Sequence, residues 1–438
     1  MSRMIPPLVR SLVRRSIHSL VGVLTIAPMA MAGSLIVVDT AGTADYDNIQ
    51  DAVTVSQPGD LILVLHGEYE GFTIADKSVH IAAVDGAVVT LSSTLIVRNI
   101  PPTAIVALQG LSSTGGYVPY TDPSEGFIAR NSHGSIRINE CQFKGFDGSG
   151  GHGAAALLDR CDDIVFTSSS LTSLHGGSTG HGLLATESNL GLFRTTIRGA
   201  PSSSRGADGV HLSGSDGQLF ATGCVIEGGY GFSGSCPEWG EEVDPGDGGH
   251  GLVNEGWSSL VQDSVLAGGY GGAAARDFPW CYANDGTSGQ PSVGPIVLLP
   301  GVGRALEVGA LLHEESGSLN LTFHGQVGDH VYLGVSLGAD FELSPRHDGP
   351  RLLASPYLGI LHPLSGGGGQ LSGGFPLALQ SPFLGVIDAT GSLSVQIPLV
   401  PGTSVGVIKN AQLQGTIRDS NGALWMTDGR TVSVVPRP

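Results

Sequence analysis

The sequence predicts an all-β chain: a parallel β-helix solenoid over residues 33–293, then a small β-sandwich-like domain over residues 294–438. Three observations predict it. The first is a turn that recurs ahead of an apolar strand, as Gly151-His152-Gly153, Gly180-His181-Gly182, Ala207-Asp208-Gly209 and Gly249-His250-Gly251. The second is a small-x-apolar-x-small slot: Cys141-Phe143-Gly145, Ser169-Leu171-Ser173, Thr195-Ile197-Gly199, Cys224-Ile226-Gly228 and Ser264-Leu266-Gly268. It steps by 28, 26, 29 and 40 residues. A period near 27 with one longer insertion and no helical spacing describes stacked short strands, each layer needing its neighbours to bury its apolar face. The third is composition. The chain has 68 glycines in 438 residues and only 14% charged residues, against an ordinary roughly 7% and 25%. That fits a turn-rich exported β protein, and the 41% apolar content argues against disorder.

Residues 1–32 read as a signal peptide. Arg10, Arg14 and Arg15 precede the apolar run Leu20–Ala30, and Ala30-Met31-Ala32 is a cleavage pattern. The run is too short for a stable spanning helix, with an N-terminal anchor as the alternative. The mature chain is expected to be secreted or held at the cell surface, with no membrane span. Removing four arginines takes Lys+Arg from 21 to 17 against 39 acidic residues, and the net charge from −18 to −22. So acidic a chain is a poor partner for nucleic acid or anionic lipid.

Ser34–Asp39 is expected as a strand. Ile49, Ala52 and Val53 form a helical apolar set behind Asp47 and Gln50, which resemble a capping box, so one short helix is expected over Asn48–Val55. Laid across the open end of the stack, it would cover an exposed sheet edge. Pro58-Gly59-Asp60 turns the chain into Leu61–Leu65, and strands follow at Phe72–Ile74, Val79–Ala83, Val88–Leu91 and Ile105–Leu108. Two insertions, Gly229–Gly248 and Ala273–Val293, are expected as loops on one face. Past the linker Thr287–Pro295 the period is lost. The alternating runs Leu319–Phe323, His330–Val335, Ser392–Ile397 and Thr431–Val435 describe an antiparallel sandwich.

The stretch DNIQDAV…QPGDLILVLHGEYEGFTIADKSVHIAAVDG, Asp47–Gly86, resembles the opening of right-handed parallel β-helix proteins of the pectin-lyase-like superfamily, and the resemblance runs over Ser34–Val293. It implies a right-handed helix capped by a strand and a short helix. The stretch from Ala389 to Val435 resembles C-terminal modules appended to large exported proteins of planctomycete-type bacteria.

Polygalacturonase-type hydrolases of that superfamily carry one Gly-His-Gly tripeptide in the active site, beside paired carboxylates that protonate the leaving oxygen and activate water. Here Asp162-Asp163 precede His181, but no Asn-Thr-Asp does, and Arg137-Ile138-Asn139 lies upstream. The turn also recurs in register, which points to a ladder of His152, His181, Asp208 and His250. The Phe-Ile-Phe-Gly context of pectin methylesterases is missing. Arg194, Arg198 and Arg205 lack a lyase signature and read as solvated, outward arginines.

The candidate metal site is the acidic insertion. Glu238, Glu241, Glu242, Asp244 and Asp247 offer hard oxygens within ten residues, with calcium as the candidate ion and a solvated acidic loop as the alternative. Tyr230, Trp239, Tyr270 and Trp280 flank the insertions and suit a carbohydrate platform, the alternative being that they pack the loops down. Cys236 and Cys281 leave consecutive layers after Gly-Gly-Tyr-Gly and are expected to form a disulfide; Cys141, Cys161 and Cys224 are expected as buried thiols. The expected function is structural or carbohydrate-binding, towards polysaccharide or a cell-surface component, without an identifiable catalytic site. A polysaccharide lyase or glycoside hydrolase acting on acidic polysaccharide is the alternative.

Overall fold

A computed structural model of the chain describes residues 33–116, 125–146, 153–174, 180–236, 243–275, 284–309, 312–314, 318–336, 339–343, 350–353, 383–398 and 409–435. Among these residues the single helix is Ile49–Val55, and nearly everything else is strand and turn. Its N-cap is Asn48, whose side chain accepts the Asp51 N–H at 2.8 Å and donates to the Asp51 carboxylate at 2.7 Å. The capping pair is therefore Asn48 and Asp51, not Asp47 and Gln50. Gln50 instead bonds both backbone groups of Thr73, and Lys77 caps the far end by donating to the carbonyls of Val53, Thr54 and Ser56. Ile49, Ala52 and Val53 are buried in the main core.

Two long sheets, of sixteen and eight strands, carry the first two thirds of the chain, and the described strands within them pair in parallel. In the smaller sheet Phe143, Leu171, Ile197, Ile226 and Leu266 are register partners. These are the apolar centres of the small-x-apolar-x-small slot. The small residue ahead of each makes its own ladder. Ser169 Oγ donates to the Thr167 carbonyl at 2.9 Å and accepts the Cys141 N–H at 3.2 Å; Ser264 does the same for Gln262 and Cys224. One residue earlier, Glu140, Ser168, Arg194 and Asp263 take left-handed φ of 54°, 49°, 49° and 43°, with Gly110 and Gly223 in the same place. The same tight turn is thus cut in successive layers.

In the larger sheet, Phe127–Asn139 pairs with both Leu95–Arg98 and Ile105–Gln109, and Ala156–Thr167 with both Leu183–Thr186 and Asn189–Phe193. These two long strands run through a corner, marked by a register shift between Ser132 and Ser135, and fuse two strand columns into one sheet. Inside, Phe127 stacks on Phe143 at 4.9 Å, and Phe166 meets both edge-on at 6.0 and 6.5 Å. The last strand to join is Val297–Leu299, beside Ser258–Gln262.

The described parts of the two insertions are regular, where loops were expected. Gly228, Gly231 and Gly234 donate to the carbonyls of Ala267, Tyr270 and Ala273; Gly248 and Gly251 donate to Thr287 and Gln290; Gly206 and Gly209 donate to Asp247 and His250. A second set joins outgoing to returning segments: Gly229 donates to Ala207, Gly249 to Gly229, Gly269 to Gly249 and Gly289 to Gly269, at 2.7–2.8 Å. Bonds at every third residue, all to neighbouring segments, are what extended chains of polyproline-II type make when bundled, since that helix repeats every three residues and has no internal bonds. Glycine rather than apolar side chains fills the bundle. A Cβ on Gly246 would sit 2.7 and 2.8 Å from the carbonyl oxygens of Ser202 and Ser203.

Beyond the stack lie two larger sheets and a third, two-stranded one made of Ala339–Leu343 and Pro350–Leu353. Ala305–Val308, Ser318–His324 and Ser392–Pro398 form one; Leu312–Glu314, Leu424–Val435, Lys409–Arg418, His330–Ser336 and Phe383–Val386 form the other, antiparallel except at Leu312–Glu314. They share a core of Leu306, Leu321, Phe323, Leu333, Leu413 and Ile417. This unit is docked on the outer face of the larger parallel sheet. Leu352 packs with Val165, Phe193 and Phe220, and His80 Nδ1 bonds Ser433 Oγ at 2.7 Å. Asp428 lies between Arg194 and Arg430 at 2.9 and 3.1 Å and accepts the Leu306 N–H.

Candidate functional site

The recurring turn is a ladder in which each layer caps the next. The Asp208 N–H donates to His181 Nδ1 at 3.2 Å, the His250 N–H to Asp208 Oδ1 at 2.9 Å, and the Gln290 N–H to His250 Nδ1 at 2.9 Å. A ring nitrogen that accepts must carry its lone pair, so in the neutral rings of His181 and His250 the proton sits on Nε2. The following glycine lets the backbones close up: a Cβ on Gly209 would lie 2.7 Å from the Glu227 and Gly251 carbonyl oxygens. The rung expected at His152 lies outside the described residues.

Around Asp208 the ladder gathers charge. The strand Val210–Ser213 buries Val210 and Leu212 and turns His211 outward. There His211 Nδ1 bonds Asp208 Oδ2 at 2.9 Å and His211 Nε2 faces Glu255 Oε1 at 3.4 Å. His181 Nδ1 is 3.7 Å from Asp208 Oδ2, and the two imidazole rings lie 4.8 Å apart, inclined by 34°. Arg205 Nη2 holds the other Asp208 oxygen at 2.7 Å. Burial pushes the Asp208 carboxyl up, but the His211 hydrogen bond, the His250 amide, Arg205 and His181 together outweigh it and leave it below the ordinary range. The hydrogen bond to Asp208 raises His211, against the pull of burial. Burial, with Arg205 second, lowers His250. One carboxylate is thus fixed in its charged form among two imidazoles and a guanidinium, with Glu255 on the open side. The set can bind a cation or pass a proton along His211.

His211 and Glu255 were not singled out in the sequence. The Asp208-x-x-His211 spacing was the available signal, but the pair needs register to acquire meaning. Arg205 is part of the cluster rather than a bare solvated arginine. Arg194 points outward but is not solvated: 23% exposed, it reaches Asp428 and the Leu306 carbonyl across to the C-terminal sheets. Arg198 is exposed and pairs with Glu227. Asp163 is held by Arg137 through two 2.6 Å bonds, with the side chains 6% and 2% exposed, while Asp162 pairs with His133 at the surface. The two aspartates therefore serve separate structural contacts.

Of the expected metal ligands, Asp247 accepts both the N–H and the hydroxyl of Thr287 at 2.7 Å and Asp244 is exposed. Glu238, Glu241 and Glu242 lie outside the described residues, as do Trp239, Trp280 and Cys281. Cys236 is disulfide-bonded, and Cys141, Cys161 and Cys224 are free and buried. Tyr230 and Tyr270 are 53% and 81% exposed. They stand on neighbouring bundle segments, because the Gly231 N–H donates to the Tyr270 carbonyl as the Ser202 N–H does to that of Tyr230. No helix among the described residues is long and apolar enough to cross a membrane. No protein-family model, curated protein or solved structure matches the chain.

Proposed function

We propose that this is an exported, right-handed parallel β-helix protein, similar to the pectin-lyase-like superfamily, that binds polysaccharide at the cell surface without turning it over. In this reading residues 1–32 direct export, the helix Ile49–Val55 caps the N-terminal end of the solenoid, and Cys236 pairs with Cys281 to staple the two insertions. The observation that carries it is the pair Tyr230 and Tyr270, 53% and 81% exposed on a bundle whose backbone is cross-bonded on both sides. Large rings left in water on so firm a support suit stacking on the apolar faces of sugar rings, and little ordering cost remains when a ligand arrives. Phe232 lies 5.8 Å from Tyr230 and is 41% exposed, which extends the apolar strip.

The test is affinity electrophoresis and calorimetry of the mature chain against neutral and acidic polysaccharides, with Tyr230→Ala/Tyr270→Ala beside wild type. Binding that falls at least tenfold in the double variant, with an unchanged melting curve, is the expected result. Absence of binding to every polysaccharide, or binding that survives the double variant, removes the proposal. A polysaccharide lyase or hydrolase is the second reading, favoured by Asp208, Glu255, His211 and Arg205 converging on one face. New reducing or unsaturated ends from acidic polysaccharide, lost in Glu255→Gln, would select it.

A further inference from the structure

We propose that His181, Asp208 and His211 bind one divalent transition-metal ion of the zinc class, at a site separate from the tyrosine strip. Two imidazoles and one carboxylate are a donor set zinc takes while keeping a fourth position open, and imidazole disfavours the hard ions calcium and magnesium. The three ligand atoms lie within 4.8 Å of one another. Asp208 Oδ2 is 2.9 Å from His211 Nδ1 and 3.7 Å from His181 Nδ1. Ligands at about 2.0–2.1 Å from a tetrahedral ion are about 3.3 Å apart, so the two Asp208 separations bracket what an ion requires, and the set closes when side-chain rotation draws the two imidazole nitrogens together.

The surroundings match a ligand set more closely than a ladder rung needs. Asp208 Oδ1 is fixed by Arg205 and by the His250 N–H, which leaves Oδ2 directed between the imidazoles. With Nδ1 of His211 on the ion, its Nε2–H faces the Glu255 carboxylate, the outer partner that metal-bound histidines characteristically use to fix their ring. Arg205 holds the oxygen that the ion does not need, so it would not have to leave. His250 fills the same slot in the next layer but serves the ladder, its Nδ1 accepting the Gln290 amide at 2.9 Å. The corresponding bond at His181 is longer, 3.2 Å, and is the one that ligation would replace. Access is from the His211 and Glu255 side, where the side chains are 21% and 52% exposed.

The full mature chain, stripped with a chelator, is titrated with Zn²⁺ and separately with Ca²⁺ by calorimetry, with melting followed in parallel and Co²⁺ absorption reporting coordination. One equivalent of Zn²⁺, a raised melting temperature and a tetrahedral cobalt spectrum are expected. His211→Ala should weaken Zn²⁺ at least tenfold, while Asp244→Ala keeps it. Asp208 is a ladder rung whose loss could unfold the turn, so the outward His211, with circular dichroism as the check on folding, decides the question. No stoichiometric Zn²⁺, or Zn²⁺ held equally by a folded His211→Ala variant, overturns the site. Polysaccharide binding measured on the same His211→Ala protein keeps this result independent of the tyrosine strip.

Discussion

Gly229→Ala tests whether glycine is what lets the insertions pack. The Gly229 amide donates to Ala207 and its carbonyl accepts from Gly249, both at 2.7 Å. A Cβ added there would lie well inside van der Waals contact of the Ala200 carbonyl oxygen, which is backbone and has no rotamer to change. The segments must part, at about 1–3 kcal/mol for overpacking and about 0.5–1.5 kcal/mol for each bond given up. A total loss of about 2–6 kcal/mol when both bonds go, concentrated in the bundle, follows. Gly256→Ala is the control: its φ is not left-handed, and its nearest contacts for a Cβ are 3.6 and 3.7 Å away, so it should change stability by no more than about 0.5 kcal/mol. Hydrogen exchange resolved to the amides of Gly229, Gly249, Gly269 and Gly289, with thermal melting alongside, reads both effects where a single global transition is not assumed. If these four amides exchange like an open loop in wild type, or if the two variants melt together, the account of the bundle is wrong.

Asp428→Ala should cost about 3–5 kcal/mol, because it strands Arg430, 3% exposed, beside Arg194 with no carboxylate between them; denaturant unfolding of the full chain measures it. Burial raises the thiols of Cys141 and Cys161 to about 12 and that of Cys224 to about 11, so native protein should resist alkylation at pH 8 at these three positions and yield in denaturant, as read by mass spectrometry. Glu307 is pushed up by burial, yet His324, Arg194 and Arg430 hold it below the ordinary carboxyl range. A depressed carboxyl contributes stability that is present above its unfolded value and is lost as pH falls through the folded one. Glu307→Gln should therefore lower the melting temperature at neutral pH and converge on wild type as pH falls through the carboxyl range, which flattens the acid limb of the profile.

The layers were legible because side chains of one type recur where the backbone needs them. Phe143, Leu171, Ile197, Ile226 and Leu266 announce a common inward column, and Ser169 or Ser264 can only serve a turn whose carbonyl lies two residues back. The bundle was harder to read because glycine leaves no apolar period. Its signal is a three-residue spacing, Gly246 to Gly249, Gly269 to Gly272 and Gly286 to Gly289, hidden within a chain of 68 glycines. The cluster at His211 was illegible for another reason. Glu255 reaches it from one layer away and His181 from the layer on the other side, so only the pairing of Leu184, His211 and Val253 brings them together. The Arg194–Asp428 contact spans 234 residues, and no local pattern encodes it.

Layers that touch only their neighbours are expected to open one at a time from an end, like a zip, with stability summed over adjacent contacts. The C-terminal sheets change that bookkeeping here. Ser433 holds His80, Arg430 reaches Asn139 and Ser168, Asp428 grips Arg194, and Leu352 rests on Val165, Phe193 and Phe220. They act as a splint laid along the stack. To fray, a layer beneath it must also release an anchor shared with layers far from it in sequence, so the splint lengthens the unit that must melt together. Resistance to proteolysis follows, since a nick needs a local opening and the splint makes each opening a collective event.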